Sequence, residues 1–151
     1  MANPYLFQAL EAGPVIFSRL CMIIGETKVD EKTDPERFTL RYAIAHLADW
    51  EEIQLGRMRA AVESPGTMIE AFDEVLRAEE QSYSEMALDD CLRKFAERRK
   101  ETIAYLNDRE YNEWPQTVYH PERRWLSLYD LANLMVAHDT YHIEHLTQFL
   151  A

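Results

Sequence analysis

Apolar residues recur at steps of three and four along almost the whole chain, and no stretch alternates apolar and polar positions over a convincing strand length. Asn3-Pro4 pairs a cap residue with a first-turn proline and opens a helix that Gly25 closes. Pro14 predicts a kink at the Gly13-Pro14 step. The polar stretch Glu26 to Glu36 reads as a linker. Thr39 caps a second helix that runs to about Val62 and stops at Ser64-Pro65-Gly66. Met68, Ile69, Phe72 and Leu76 mark a short amphipathic helix in the next connection. Ser82-Tyr83-Ser84-Glu85 has the form of a capping box and opens a third long helix lasting to about Asn107. A coil rich in turn formers and aromatic residues, through Trp114-Pro115 and His120-Pro121, leads to Ser127, which caps a last helix running to the C-terminus. Four long helices of about 20 residues with a short extra one predict an all-α fold, a four-helix bundle in one domain over residues 1–151. The long connections leave room for a crossover.

Composition supports a packed core, with 47% apolar and 28% charged residues in 151. Against 27 acidic residues stand 16 Lys and Arg, a formal net charge of −11. Such a surface repels phosphate backbones and anionic membranes, so the expectation is no nucleic acid and no membrane partner. No run of about 18 apolar residues is found, so no bilayer span is expected. Met1 to Leu10 carries neither a positive flank nor a small-residue cleavage site, which points to a cytoplasmic protein. Cys21 and Cys91 lack metal-type spacing and fall on apolar helix faces, as buried unpaired thiols do.

The pattern breaks in the last helix. Its apolar seam runs Leu128, Leu131, Met135, and then His138, His142 and His145 before Phe149. At about 100° per residue, His142 lies about 40° from His138, and His145 about 20° to its other side. Imidazoles buried on a core face need partners. A divalent metal is an economical one, and an i, i+4 pair such as His138 and His142 lets two rings converge on one ion. Further ligands must come from other helices, and His46, mid-helix in Ala45-His46-Leu47-Ala48-Asp49-Trp50, is the best placed; a core histidine bonded to a carbonyl is the other reading. For His145 the spacing favours lining a pocket without coordination, beside coordination itself or exposure near a helix end. His120, before Pro121, reads as a brace of its turn. Asp139 either orients a ligand ring from behind or is a solvated carboxylate. Arg99, the one charge in the seam Leu88, Leu92, Phe95, Ile103 and Leu106, either binds an anionic substrate group or pairs with a carboxylate on a neighbouring helix. Asp139, His145 and Arg99 are therefore the candidates for catalytic roles.

Together these stretches resemble the DinB-like (YfiT-like) family of metal-dependent four-helix bundles. The carrying segments are Phe38-Thr39-Leu40, Ala45 to Glu51, Phe95 to Arg99, His120-Pro121 through Leu126-Ser127-Leu128, and Ala137-His138-Asp139-Thr140-Tyr141-His142. The resemblance covers nearly the whole chain in the right order, and its motifs are specific in combination. It implies a divalent ion on His46, His138 and His142, with zinc or nickel suited to three imidazoles. It also implies a homodimer, a link to stress response, and a small-molecule substrate with a low-molecular-weight thiol as cosubstrate. Two departures stand out: no glycine follows His120-Pro121, and His145 replaces a glutamine often found three residues after the last ligand. The first bears on the pocket mouth, the second on ligand count and substrate choice.

The functional expectation is a metal-dependent enzyme with thiol-transferase-like or hydrolase-like chemistry; the alternative is a non-catalytic module that binds a metal or small ligand in the same pocket. A ferritin-like di-iron site needs Glu three residues before a ligand His, and the residues in that position are Ala43, Thr117, Met135, Asp139 and His142. A His-Glu-x-x-His zinc protease is disfavoured by the aspartate at 139. A purely structural bundle leaves three seam histidines without purpose.

Overall fold

The computed structural model describes residues 3–150. Helices α1 (Leu6–Ile24), α2 (Leu40–Glu63), α3 (Glu74–Glu80) and α4 (Leu88–Asn107) are followed by strands β1 (Thr117–His120) and β2 (Arg124–Ser127) and by α5 (Leu128–Thr147). The long helices form the expected bundle. Its main contacts join α1 to α4 and α5, and α2 to the same two helices. Helices consecutive in sequence, α1 with α2 and α4 with α5, therefore face each other diagonally, which needs the long connections the sequence provides.

Local chemistry explains where the helices begin. Thr39 accepts from the Tyr42 amide at the start of α2, and Ser127 and Asp130 exchange a full capping box at the start of α5. Gly25, at φ 84°, closes α1 as expected. The opening of α1 differs slightly: Asn3 accepts from the Tyr5 amide in a turn, and the helix starts at Leu6. The expected run of the last helix to the C-terminus ends in a 3-10 turn at Gln148–Leu150; Ala151, like Met1 and Ala2 of the leader reading, lies outside the described residues.

Three local expectations are corrected. Ser82 does not cap α4: it is left-handed, at φ 53°, where an N-cap needs extended backbone, because the chain turns there to bury Tyr83. α4 instead begins at Leu88, with Asp89 and Asp90 on its positive end. Met68 and Ile69 are not helical, since Met68 forms a bridge with Tyr119, whose carbonyl accepts from the Ile69 amide and whose amide donates to the Thr67 carbonyl; the short helix starts later, at Glu74, where Asp73 accepts from the Val75 and Leu76 amides. Finally, Thr117–His120 and Arg124–Ser127 form an antiparallel hairpin, with Tyr119 opposite Trp125. Its strands are four residues each, too short to show an alternation.

α1 is also long and apolar enough, by length and composition, to cross a membrane, which corrects the expectation that no such segment exists. A bundle core helix passes the same test, and Leu6, Leu10, Phe17 and Ile24 bury one face of α1, which packs on α4 and α5.

The core is divided. One apolar cluster contains Phe17, Ile44, Leu47, Phe95 and Leu146, and includes the buried free thiols of Cys21 and Cys91; a second contains Leu10, Met58, Leu106, Leu128 and Leu131. Between them, at one level of the long helices, lies a buried charged layer. Arg99, 1% exposed, donates Nε and Nη2 to Glu51 at 2.7 and 3.0 Å, and Nη1 and Nη2 to Asp139 at 2.8 and 3.0 Å. Forked pairing on both sides offsets the cost of burying the guanidinium.

Candidate metal centre

α2 and α5 lie side by side and bring three imidazoles together. His46 Nε2 is 3.0 Å from His138 Nε2, and His142 Nε2 is 3.2 Å from the same atom. The three residues each offer a ring nitrogen to a cluster spanning no more than 4.8 Å. His46 and His142 are buried and His138 is half-buried. The structure thus brings together the spaced pair His138 and His142 and the His46 that the resemblance adds to them, across 92 residues of chain.

An aromatic frame fixes the rings. Trp50 stacks on His46 with centroids 5.7 Å apart, Phe38 meets His46 edge-on, and Tyr141 stands edge-on to His142 at 5.0 Å. Burial pushes the His46 imidazole down to about 4 and that of His138 to about 3, with the His46 charge adding to the latter. Burial and the two neighbouring rings lower His142 as well. All three are therefore neutral near pH 7 and offer lone pairs.

Three neutral imidazoles cannot satisfy one another. The Nε2 of His138 faces two ring nitrogens, and a single N–H serves only one of them. A cation resolves the conflict. The Nε2 separations approach the roughly 3.4 Å expected between two nitrogens bound at about 2.0–2.1 Å to a tetrahedral ion. The donor set fits a divalent metal.

The other sequence candidates sort differently. Asp139 is neither solvated nor bonded to a ligand ring: it takes the central seam position of α5, pairs with Arg99 and leaves His138 on the flank. Burial raises its carboxyl and that of Glu51, against the pull of the guanidinium. Arg99, weighed as an anion binder, is saturated by the two carboxylates and the Leu10 carbonyl. His145 is buried near Phe149, its ring centroid 6.2 Å from that of His142, and neither of its nitrogens has a hydrogen-bond partner among the described residues. His120 braces its turn, Nδ1 accepting from the Glu122 and Arg123 amides at 3.1 and 3.3 Å.

The spacing missed Glu74. Its Oε1 lies 3.9 Å from His46 Nε2, on the side where the ring nitrogens converge. The clamp that puts it there starts at Asp49, which accepts from Arg77 at 2.6 and 2.8 Å and from the Tyr83 hydroxyl at 2.6 Å, tying α3 to α2 one turn beyond His46. The Asp73 cap, immediately before Glu74, was the one sequence signal for this placement.

The fold and the convergent imidazoles define a class: helical bundles with a cluster of three histidines able to hold a metal ion. Within that class the chain belongs to the DinB superfamily, whose family model matches residues 9–146. The fold is similar to that of YfiT from Bacillus subtilis, described as a probable metal-dependent hydrolase with an unusual four-helix bundle topology. That match has a TM-score of 0.88 at 21% identity over 95% of this chain and 83% of YfiT. A mycothiol-dependent maleylpyruvate isomerase also matches, with a TM-score of 0.76 at 15% identity over 93% of this chain and 59% of its own; a mutant of that isomerase gives 0.77. No curated protein matches the sequence.

Proposed function

We propose that this protein is a metal-dependent enzyme acting on a small molecule, with a divalent ion, zinc or nickel, held by His46, His138 and His142. The observation that carries the reading is the convergence of three neutral ring nitrogens, from two buried histidines and one half-buried one, on one point. Membership of the superfamily and the likeness to a probable metal-dependent hydrolase and a mycothiol-dependent isomerase support it. Thiol-transferase-like chemistry with a low-molecular-weight thiol, or hydrolysis, is the reaction class we favour, in a cytoplasmic homodimer.

When bound, a divalent ion supplies Lewis acidity, which favours the deprotonated form of a thiol or water and polarises an electrophile. The chain supplies the rest. Trp50, Phe38 and Tyr141 hold the ligand rings and shield them from solvent. Glu74 presents a carboxylate beside His46, within reach of a proton released there. The second reading is a module that binds metal or ligand without turnover; the unpartnered ring of His145, on a cleft with Glu74 and His142, favours a ligand contact there.

Elemental analysis of protein purified without chelator tests the proposal. About one divalent ion per chain is expected in the wild type, and its loss in both His46→Ala and His138→Ala. Wild-type protein that stays metal-free after reloading with zinc or nickel overturns it.

A further inference from the structure

The buried charge of Arg99 is matched; that of Arg57 is not. Arg57 lies on α2, on the same side as His46, Trp50 and Gln54, and is 6% exposed. Its guanidinium is held between rings, with its central carbon 4.9 Å from Trp50 and 5.8 Å from Phe72. Nη2 donates to the Glu70 carbonyl, and Gln54, its amide oxygen turned inward, accepts from Nη1 at 3.2 Å and from Trp50 Nε1 at 3.0 Å. Among the described residues, no carboxylate oxygen lies within 4 Å of it.

A buried cation without a counterion is costly, and a nearby like charge makes it more so. Here the neighbour is Arg123, exposed on the hairpin turn, whose charge is felt by Glu74 across the cleft but which has no carboxylate within 4 Å among the described residues. Burial and the Arg123 charge push the Arg57 guanidinium down to about 10, so it stays cationic near pH 7. Both arginines line one cleft of about 210 Å³, together with His138 and one carboxylate, Glu74, and its opposite wall is apolar, from Leu126, Leu131 and Leu134. Two cations against one carboxylate stand out on a chain of net charge −11.

We propose that this cleft is a subsite for a small organic oxyanion, with Arg57 as the anchoring residue and Arg123 as a second cation at its mouth. A carboxylate or phosphoryl group on the guanidinium, with its hydrocarbon body against the leucines, delivers the rest of the molecule to the side of the cleft formed by His138. The inference deepens the enzyme reading and rests on it for the meaning of that delivery. The anion contact itself does not need the metal.

The test is a titration of the zinc-loaded full chain with benzoate, phenyl phosphate and neutral benzamide, followed through the indole N–H resonance of Trp50, assigned with Trp50→Phe. Both oxyanions should shift that resonance and bind at least about tenfold more tightly than benzamide, a preference that one charge-assisted contact supplies. The tighter of the two names the group. Arg57→Gln should cancel the preference and leave benzamide unchanged. Arg123→Gln, on an exposed turn, should weaken both oxyanions about threefold, and it decides the matter should Arg57→Gln fail to fold. The same titration of metal-free His138→Ala separates the two readings. An oxyanion preference retained there upholds the subsite even if zinc never binds. Zinc bound without any preference overturns the subsite alone. Benzamide equal to benzoate on the wild type, or a folded Arg57→Gln with wild-type benzoate affinity, shows that Arg57 serves only to hold the Glu70 carbonyl.

Discussion

Arg99 completes a hydrogen bond that Pro14 cannot make. Within α1, the carbonyl of Leu10 would accept from the amide of residue 14, but proline has no N–H. That carbonyl accepts instead from Arg99 Nη1, at 2.9 Å. The neighbouring Gly13 makes the approach possible: a Cβ there would overlap Asp139 Oδ2 and lie 3.0 Å from Arg99 Nη1. The Gly13-Pro14 step, which in the sequence suggests only a kink, is the seat of the charged layer, and α1 runs unbroken through it.

Gly13→Ala should therefore cost about 1–3 kcal/mol by overpacking against Asp139. Urea denaturation measures it, with Gly56→Ala, where an added Cβ meets nothing within 4 Å, as the reference. A stability equal to that of the reference would show that the layer yields freely.

Removing the guanidinium strands two buried carboxylates. Arg99→Leu should lose about 3–5 kcal/mol. Arg99→Lys should recover only part of that, because an ammonium cannot fork to Glu51 and Asp139 at once. Thermal unfolding of both variants against the wild type gives the comparison, and a fully rescuing lysine would refute the forked geometry.

Acid should weaken the metal-free protein through the triad. The unfolded chain binds protons on histidine below about 6.5, whereas burial holds folded His46 near 4 and His138 near 3. The unfolded state thus carries more protons in this window. The stability contributed by the neutral rings is present above 6.5 and falls away as the pH drops towards 4, on the order of 3 kcal/mol for His46. Denaturation of wild type and His46→Ala at pH 7 and pH 4 tests this, the wild type losing the larger amount; parallel losses would mean that the ring is not desolvated.

Turnover separates enzyme from binding module. Zinc- or nickel-loaded wild type should consume a low-molecular-weight thiol in the presence of a reactive electrophile, or hydrolyse an activated ester, and His138→Ala should reduce either rate by at least about a hundredfold. Activity unchanged in that variant would place the chemistry elsewhere.

Much of this was legible in the sequence where one residue type carries one reason. The bundle followed from periodicity, the caps at Thr39 and Ser127 from their hydroxyls, the pairing of His138 with His142 from imidazoles standing where leucines belong, and the addition of His46 from the family resemblance. What escaped depends on distant partners. Whether Asp139 or His138 takes the centre of the α5 seam is decided by Arg99 on another helix, and 3.6-residue periodicity cannot see it. Glu74 reaches the triad because Asp49 holds Arg77 and Tyr83, contacts spanning 28 and 34 residues. The hairpin is too short for alternation to register, and the seat of Tyr83 overrode a good capping box at Ser82.

The charged layer also draws a line through the histidine cluster. Gly13, Glu51, Arg99 and Asp139 mark one level across the long helices, with separate apolar clusters to either side. His46, His142 and His145 fall on the side of Leu47 and Leu146; His138, Arg57, His120 and the hairpin fall on the side of Met58 and Leu131. A recombinant cut at this level, exchanging halves with a related bundle, would leave each apolar half with its own packing partners. It would also pair two ring nitrogens from one parent with the third, and with the arginine-lined cleft, from the other. The histidine cluster and the arginine-lined cleft can thus drift apart in descent while the level between them stays fixed.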